Sequence, residues 1–109
     1  MSSTKSVIDV GSNTIHLLVG EVENGVVLPV AGEKISARLG LGVEKTGRIE
    51  EVRILVAVEA IKLFARLATL NGASETAVLA TSAVRDAENG SELIEEVRER
   101  MGLKMRLVS

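Results

Sequence analysis

The spacing of apolar residues first changes from strand-like to helix-like near residue 50 of this chain of 109 residues, and that change limits the folds open to it. The first part has short apolar runs separated by turn-forming residues, at residues 7–10, 14–22 and 26–35. Such runs predict β-strands, and Asn24-Gly25 between the last two is a strong hairpin signal. Because Pro29 lacks a backbone donor, it favours a sheet edge for the third strand. The chain is therefore predicted to open with three antiparallel strands.

Over residues 50–70 the apolar spacing is helical. Polar residues there recur mostly every three or four positions, which predicts a long helix with a narrow polar stripe and a wide buried face. The pattern predicts a helix, a buried parallel strand, a second helix and a last strand at residues 50–70, 76–81, 92–101 and 103–108. Asn89 and Glu92 stand at capping-box spacing before the second helix. The predicted order is βββαβαβ, an α/β fold with one mixed sheet.

Composition removes several classes of function. The 13 basic and 15 acidic residues exclude a polycationic nucleic-acid binder, and a single Phe with no Tyr or Trp leaves no platform for stacking bases. The absence of cysteine excludes disulfides, thiolate metal sites and a Cys nucleophile. No uncharged stretch approaches the ~20 residues of a membrane span, and the first residues lack a secretory pattern. We therefore expect a soluble, cytoplasmic domain without nucleic-acid or membrane partners.

The first segment that carries chemistry is DVGSNT at residues 9–14, at the end of the first predicted strand. Gly11 lets the backbone turn, and successive amides of such a turn form a concave nest for phosphate oxygens. Asp9 would hold a metal ion or orient a water molecule beside that phosphate. An ordinary polar hairpin turn is the alternative, and the segment taken alone favours it.

The second segment is TSAVRDA at residues 81–87, directly after the predicted buried strand. Ligands of open α/β sheets bind beyond the carboxyl ends of the strands, and an Arg there can bind a phosphate with a planar pair of donors. Arg85 is the candidate. A solvated Arg85 that pairs with Asp86 or Glu88 explains the segment equally well.

Residues 36–49 are rich in glycine and are predicted to form a flexible loop. Gly40 and Gly42 would let this loop close on an anion, which Arg38 would bind. Taken by itself, the loop is more simply interpreted as a flexible connector. His16 has no second His or Cys to share a metal with, so no zinc site is expected.

Two motifs taken together resemble one known family. IDVGSNTIHLLVGEV at 8–22 and LATSAVRDAENG at 79–90 look like the exopolyphosphatase and guanosine pentaphosphate phosphohydrolase family, and RLGLG at 38–42 also fits it. The first motif is shared with the wider actin-like ATPase and sugar-kinase superfamily. The two motifs in this order and at this spacing are more specific. The resemblance extends from about residue 7 to Ser109.

The resemblance implies a ribonuclease-H-like, actin-like fold with strand order 3-2-1-4-5 and strand 2 antiparallel. It assigns phosphate binding to Gly11, Ser12, Asn13, Thr14, Arg85 and Arg38. It places Asp9 toward a divalent metal, Mg²⁺ in the intact enzyme, or toward the attacking water. The implied reaction is removal of the terminal phosphate from inorganic polyphosphate or guanosine pentaphosphate.

The resemblance also implies that residues 1–109 are a single N-terminal subdomain of a longer two-domain protein. In the family, the last strand leads into an acidic segment with the catalytic Glu, and a second domain brings another phosphate loop. We therefore expect at most trace hydrolase activity from this chain alone. A non-catalytic polyanion-binding module and the N-terminal part of an actin-like ATPase or sugar kinase remain alternatives.

A further expectation concerns assembly. In the family, a helix after the last strand helps to cover one face of the sheet. Without that helix, a strip of aliphatic side chains is expected to be exposed on the sheet, and exposed apolar patches favour association. We therefore expect a homodimer or a soluble aggregate.

Overall fold

The computed structural model describes residues 3–108 as one five-stranded mixed sheet with helices. The elements are β1 (Ser3–Val10), β2 (Ile15–Glu23), β3 (Val26–Ile35), α1 (Val43–Thr46), α2 (Glu51–Leu70), β4 (Glu75–Ala80), α3 (Ser82–Asp86), α4 (Gly90–Met101) and β5 (Met105–Leu107). The strand order is β3-β2-β1-β4-β5. Strand β2 runs antiparallel to both neighbours, whereas β1, β4 and β5 are parallel. The predicted α/β class, strand order and antiparallel β2 are confirmed.

The opening hairpins follow from local sequence. Asn24 and Gly25 both have positive φ, 52° and 77°, as a tight hairpin between β2 and β3 requires. Pro29 lies in the edge strand β3, as predicted, and the register between β2 and β3 shifts where Gly20 faces it. Pro29, which has no backbone N–H to donate, therefore lies where the hydrogen-bond pairing between β2 and β3 is irregular.

The hydrophobic core lies between one face of the sheet and helices α2 and α4. Ile8 and Val10 of β1 point into it, together with Phe64 of α2 and Leu93 and Val97 of α4, and all five are buried. Helices at one face leave alternate strand residues on the other face to solvent. No helix within residues 3–108 has the length and apolar content that a bilayer span requires.

The second face of the sheet is open. Val7 lies opposite Leu18 on it, and Asp9 lies opposite His16. Leu18 is 50% exposed, and Asp9 and His16 are exposed as well. The expected exposure of aliphatic residues on one sheet face is thus seen, mixed with polar side chains.

Helix α2 differs from the prediction in how much of its apolar surface is covered. Ile54, Ala57, Val58, Ala60, Ile61, Phe64 and Ala68 face the sheet and α4 and are buried. Five other large apolar residues, which we call the α2 strip, are largely exposed: Val52, Leu55, Val56, Leu63 and Leu70. The prediction of one wide buried face was wrong because only one side of α2 has elements packed against it.

The loop predicted to be flexible is anchored by its apolar residues. Ala37, Leu39 and Ile49 are buried in the core, and the loop contains the one-turn helix α1. Gly42 and Gly47 flank α1, and both have the left-handed backbone that glycine tolerates best. The glycines therefore shape this segment rather than loosen it.

The predicted capping box at Asn89 is wrong. The side chain of Asn89 makes no cap hydrogen bond with α4. Its buried carboxamide instead accepts a hydrogen bond from the Ile49 N–H and donates one to the Ile49 C=O, both at 2.8 Å. Asn89 therefore joins the end of the loop to the start of α4. The five-residue helix α3 was not predicted, because so short a segment shows no period.

Candidate functional site

Two of the predicted segments, residues 9–14 and 81–87, meet at the carboxyl ends of the parallel strands. Because β1 and β4 are adjacent and parallel, the turn after Val10 and the segment after Ala80 lie side by side at the same end of the sheet. The Thr81 N–H donates to the Val10 C=O at 3.2 Å. The hydroxyl oxygens of Ser12 and Ser82 lie 2.8 Å apart. The two motifs that stand about 70 residues apart in sequence are thus in direct contact.

The loop before α1 closes over the turn at residues 11–14. The Arg38 N–H donates to the Asn13 C=O at 2.9 Å, and the Gly40 N–H donates to the Ser12 C=O at 2.8 Å. Arg38 has a φ of 53°, a left-handed conformation that is uncommon for a residue with a Cβ. A Cβ on Gly40 would lie 3.2 Å from the Ser12 Cβ, so glycine permits this close approach. Backbone hydrogen bonds therefore hold together three segments: the turn after β1, the loop before α1 and the start of the segment after β4.

These segments line a cavity of about 540 Å³. It is lined by Ser12, Asn13, Arg38, Gly40, Leu41, Gly42, Val43, Glu44, Lys45, Ser82, Ala83 and Asp86. The lining combines two hydroxyls, the cationic side chains of Arg38 and Lys45, and the carboxylates of Glu44 and Asp86. The volume lies in the range of small-molecule sites. Hydroxyls and cations in this arrangement can bind an oxyanion.

Arg85 lies beside the cavity and does not line it. Its Nε donates to Asp86 Oδ1 at 2.9 Å, and its Nη1 donates to the Val108 C=O at 3.2 Å. The hydrogen bond with Asp86, and then the charge of Asp86, raise the pKa of Arg85. The same hydrogen bond lowers the pKa of Asp86. The structure thus shows the solvated pair with Asp86, and the guanidinium would have to leave that carboxylate to reach an anion in the cavity.

Asp9 lies near the end of β1 on the open face of the sheet and is not among the residues that line the cavity. Among residues 3–108 there is no group of three or more side chains suited to hold a metal ion. Mg²⁺ is usually bound through one or two carboxylates with water and substrate phosphates. Asp9 can supply one carboxylate to such a site. The side chains of residues 3–108 do not by themselves form a full set of metal ligands.

Of the predicted phosphate-binding residues, Ser12, Asn13 and Arg38 line the cavity, whereas Gly11 and Thr14 are the ends of the turn that carries Ser12 and Asn13. The Gly11 N–H donates to the Thr14 C=O at 3.1 Å.

Lys45 and Ser82 were missed. Ser82 directly follows the strand end that the sequence singled out, so its position was a usable signal. The sequence carried no signal for Lys45, because the position of Lys45 at the cavity depends on how α1 packs against the other segments.

Comparison with known proteins gives a consistent result. Residues 18–109 match the model of the Ppx/GppA phosphatase family. Exopolyphosphatase 1 of Mycobacterium tuberculosis is 37% identical over 101 residues, which cover 92% of this chain and 29% of that protein. Exopolyphosphatase 1 of Mycobacterium leprae is 34% identical over 103 residues, with coverage of 94% and 30%. The chain thus spans about three tenths of the length of these relatives.

Solved structures agree on the fold. The crystal structure of the Aquifex aeolicus Ppx/GppA family member superposes with a TM-score of 0.94 at 26% identity, over 99% of this chain and 35% of that one. An ethanolamine utilization protein, EutJ of Carboxydothermus hydrogenoformans, superposes with a TM-score of 0.56 at 19% identity, over 97% of this chain and 36% of that one. The second similarity concerns the fold alone.

Proposed function

Because this chain belongs to the Ppx/GppA phosphatase family, we propose that it forms the N-terminal, phosphate-binding half of a phosphohydrolase. The substrate is inorganic polyphosphate or guanosine pentaphosphate, and the bond cleaved is the one to the terminal phosphate. The observation that carries the proposal is the contact between Ser12 and Ser82, which joins the two motif segments at one cavity with hydroxyl and cationic side chains. Family membership favours this function over an actin-like ATPase or a sugar kinase.

The residues at the cavity have separate roles in this proposal. Gly11 and Thr14 shape the turn, so that the amides and side chains of Ser12 and Asn13 meet phosphate oxygens. Arg38 neutralises the next phosphate group of the polyphosphate. Lys45, which lines the same cavity, adds a mobile point charge.

Arg85 and Asp9 act beside the cavity. Arg85 exchanges its carboxylate partner for a phosphate of the substrate, since both offer oxygens to the same planar donors. Asp9 orients the attacking water or ligates a Mg²⁺ that arrives with the polyanion. When bound, Mg²⁺ would neutralise phosphate charge.

The cavity favours polyphosphate over a nucleotide as the group held by this half. None of the lining residues is aromatic, and Phe64 is buried in the core. A guanine base would therefore find no stacking partner here. The named exopolyphosphatases among the relatives support the same preference.

The test is polyphosphate binding by isothermal titration calorimetry with single alanine variants. We expect Arg38→Ala and Arg85→Ala each to weaken binding by at least about tenfold, because a hydrogen bond to a charged group contributes about 1.5–3 kcal/mol. Arg100→Ala is the matched control, because Arg100 also pairs with a neighbouring carboxylate, that of Glu96 at 2.7 Å, but belongs to α4 and to none of the three segments at the cavity. Equal losses in all three variants would show non-specific attraction and contradict the proposed site.

A further inference from the structure

A second groove, of about 480 Å³, lies at the end of the sheet opposite the candidate site. It is bounded by the second half of α2, the start of β4, the end of α4 and the residues just before β5. Its volume is in the range of small-molecule sites. None of its residues lines the cavity of the candidate site: Lys62, Ala65, Arg66, Thr69, Leu70, Thr76, Met101 and Leu103.

The floor of this groove is apolar. Ala65, Met101 and Leu103 are half-buried and pack against the hydrophobic core. Leu70 stands at the rim and is 79% exposed. The four side chains come from α2, from α4 and from the segment before β5, so the floor exists only in the folded chain. An aliphatic group placed on this floor would remove apolar surface from water.

The two hydroxyls of the groove already have partners within the chain. The Thr69 hydroxyl donates to the Ala65 C=O at 3.1 Å. The hydroxyl oxygens of Thr76 and Ser6 lie 2.6 Å apart. The cationic side chains of the groove therefore decide which polar group a ligand needs.

Those cations are Lys62 and Arg66, which lie about one turn apart on α2. Neither takes part in an ion pair among residues 3–108, and the described lining of the groove contains no carboxylate. Like charges four residues apart on a helix repel each other. Arg66 gains from the negative end of the α2 dipole, but Lys62 lies two turns before that end, beyond its reach. An anion bound between the two side chains would relieve the repulsion.

We propose that this groove binds an amphipathic organic anion, an aliphatic carboxylate. Its head group lies at Arg66 and Lys62, and its chain lies on the apolar floor toward Leu70. The planar donors of arginine match the two oxygens of a carboxylate. Residues 62–70 span about 12 Å along the helix axis, which accommodates an alkyl chain of medium length. The inference does not rest on the proposed phosphohydrolase function.

The apolar floor distinguishes this ligand from a segment of polyphosphate. A polyphosphate laid along the groove would place charged oxygens against apolar side chains, which costs free energy because the oxygens lose water without gaining donors. The candidate site differs, since its lining adds hydroxyls that can meet phosphate oxygens. The two sites are therefore expected to select different anions.

The first test is a titration with decanoate, followed by NMR of the chain labelled with ¹³C at the methionine methyl groups. Met101 lines the groove, whereas Met105 is only 5% exposed in the core and serves as the internal reference. We expect the Met101 signal to shift saturably below the micelle concentration of decanoate, with the Met105 signal unchanged. Decanol and inorganic phosphate, which each carry half of the chemistry, should leave both signals in place. No shift with decanoate, or an equal shift with decanol or phosphate, would overturn the proposal.

Variants at exposed positions test the two ends of the ligand. Arg66→Gln should weaken decanoate binding at least about tenfold, and Lys62→Gln, which removes a more hydrated point charge, about threefold. Lys34→Gln is the matched control, because it removes the same charge from β3, outside the groove. Leu70→Asp should weaken binding at least about tenfold, because it removes an apolar contact and offers Arg66 a carboxylate four residues away. Its control is Leu63→Asp, at another exposed position of α2 that does not line the groove.

All five variants should keep the circular dichroism spectrum of the wild type, since each changes an exposed side chain. An affinity of Arg66→Gln no lower than that of Lys34→Gln would overturn the head-group assignment. A loss in Leu63→Asp as large as that in Leu70→Asp would overturn the position of the alkyl chain.

Discussion

At the scale of single residues, Arg85 and Asp86 decide how much positive charge the candidate site offers. Asp86 lines the cavity and also binds the guanidinium of Arg85 at 2.9 Å. The carboxylate therefore opposes an incoming phosphate twice, by its own charge and by occupying the donors of Arg85. A bound polyanion has to compete with it.

Asp86→Asn is expected to strengthen polyphosphate binding about five- to tenfold, because it frees Arg85 and removes one negative charge from the cavity. Isothermal titration calorimetry measures the change. Glu96→Gln, which frees Arg100 away from the cavity, is the control and should leave the affinity unchanged. Unchanged or weaker binding by Asp86→Asn would contradict the role that we assign to Arg85.

The pKa of Asp86 sets the pH range in which this prediction holds. Because the pKa of Asp86 lies below the ordinary carboxyl value of about 3.9, its carboxylate is ionised and paired with Arg85 throughout the range from pH 5.5 to pH 8. Its contribution to stability is present above the unfolded pKa and is lost only as the pH falls through the lower folded pKa. The gain from Asp86→Asn should therefore be the same at pH 5.5 and pH 8.

The residues that the sequence could and could not identify differ in one physical respect. Ser12, Asn13 and Arg38 belong to segments whose backbone conformation is fixed by nearby glycines, and the structure brings them together. The direction of the Arg85 guanidinium depends on Asp86 and on Val108, which is 23 residues away. A long, flexible side chain chooses among such partners only in the folded chain, so no local pattern reveals its direction.

At the scale of elements, the buried Asn89 carboxamide holds the loop before α2 against the start of α4. We expect Asn89→Ala to lower the free energy of unfolding by about 2–3 kcal/mol, because the buried N–H and C=O of Ile49 both lose their partner. Urea denaturation measures the loss. Asn71→Ala is the control, since it removes an exposed hydrogen bond to the Leu67 C=O and should cost less than about 1 kcal/mol. Equal losses in the two variants would contradict the role of Asn89.

Elements whose signals are local were predicted well, and elements whose form depends on distant contacts were not. Strands β2 and β3 follow from alternation and the Asn24-Gly25 turn, and α2 follows from its period, to within a residue at each end. The five-residue α3 is held against α4 at Gly90, where a Cβ would come within 2.9 Å of the Val84 carbonyl carbon. That close packing involves another element, so the residues of α3 alone do not indicate it.

The apolar count of α2 shows the same limit. The count predicts how much surface is suited to burial, but it does not say how many elements arrive to cover it. Here the sheet and α4 cover one side, and the α2 strip stays exposed.

At the scale of the whole molecule, the candidate site is one-sided. The turn at 11–14, the loop before α1 and the start of α3 form a single wall at the carboxyl ends of β1 and β4. The chain spans about three tenths of the length of its exopolyphosphatase relatives. A cavity open on one side can bind an anion without excluding water from it.

This one-sidedness predicts that the 109-residue chain binds polyphosphate but hydrolyses it at no more than a trace rate. Phosphoryl transfer to water depends on positioning and on stabilisation of developing charge. In the cavity two cations are offset by two carboxylates, and one of those, Asp86, is engaged by Arg85 and unsuited to act as a base. Phosphate release from long-chain polyphosphate, with the Mycobacterium tuberculosis exopolyphosphatase 1 assayed in parallel, measures this. Sustained turnover by the pure 109-residue chain would mean that one wall suffices for catalysis.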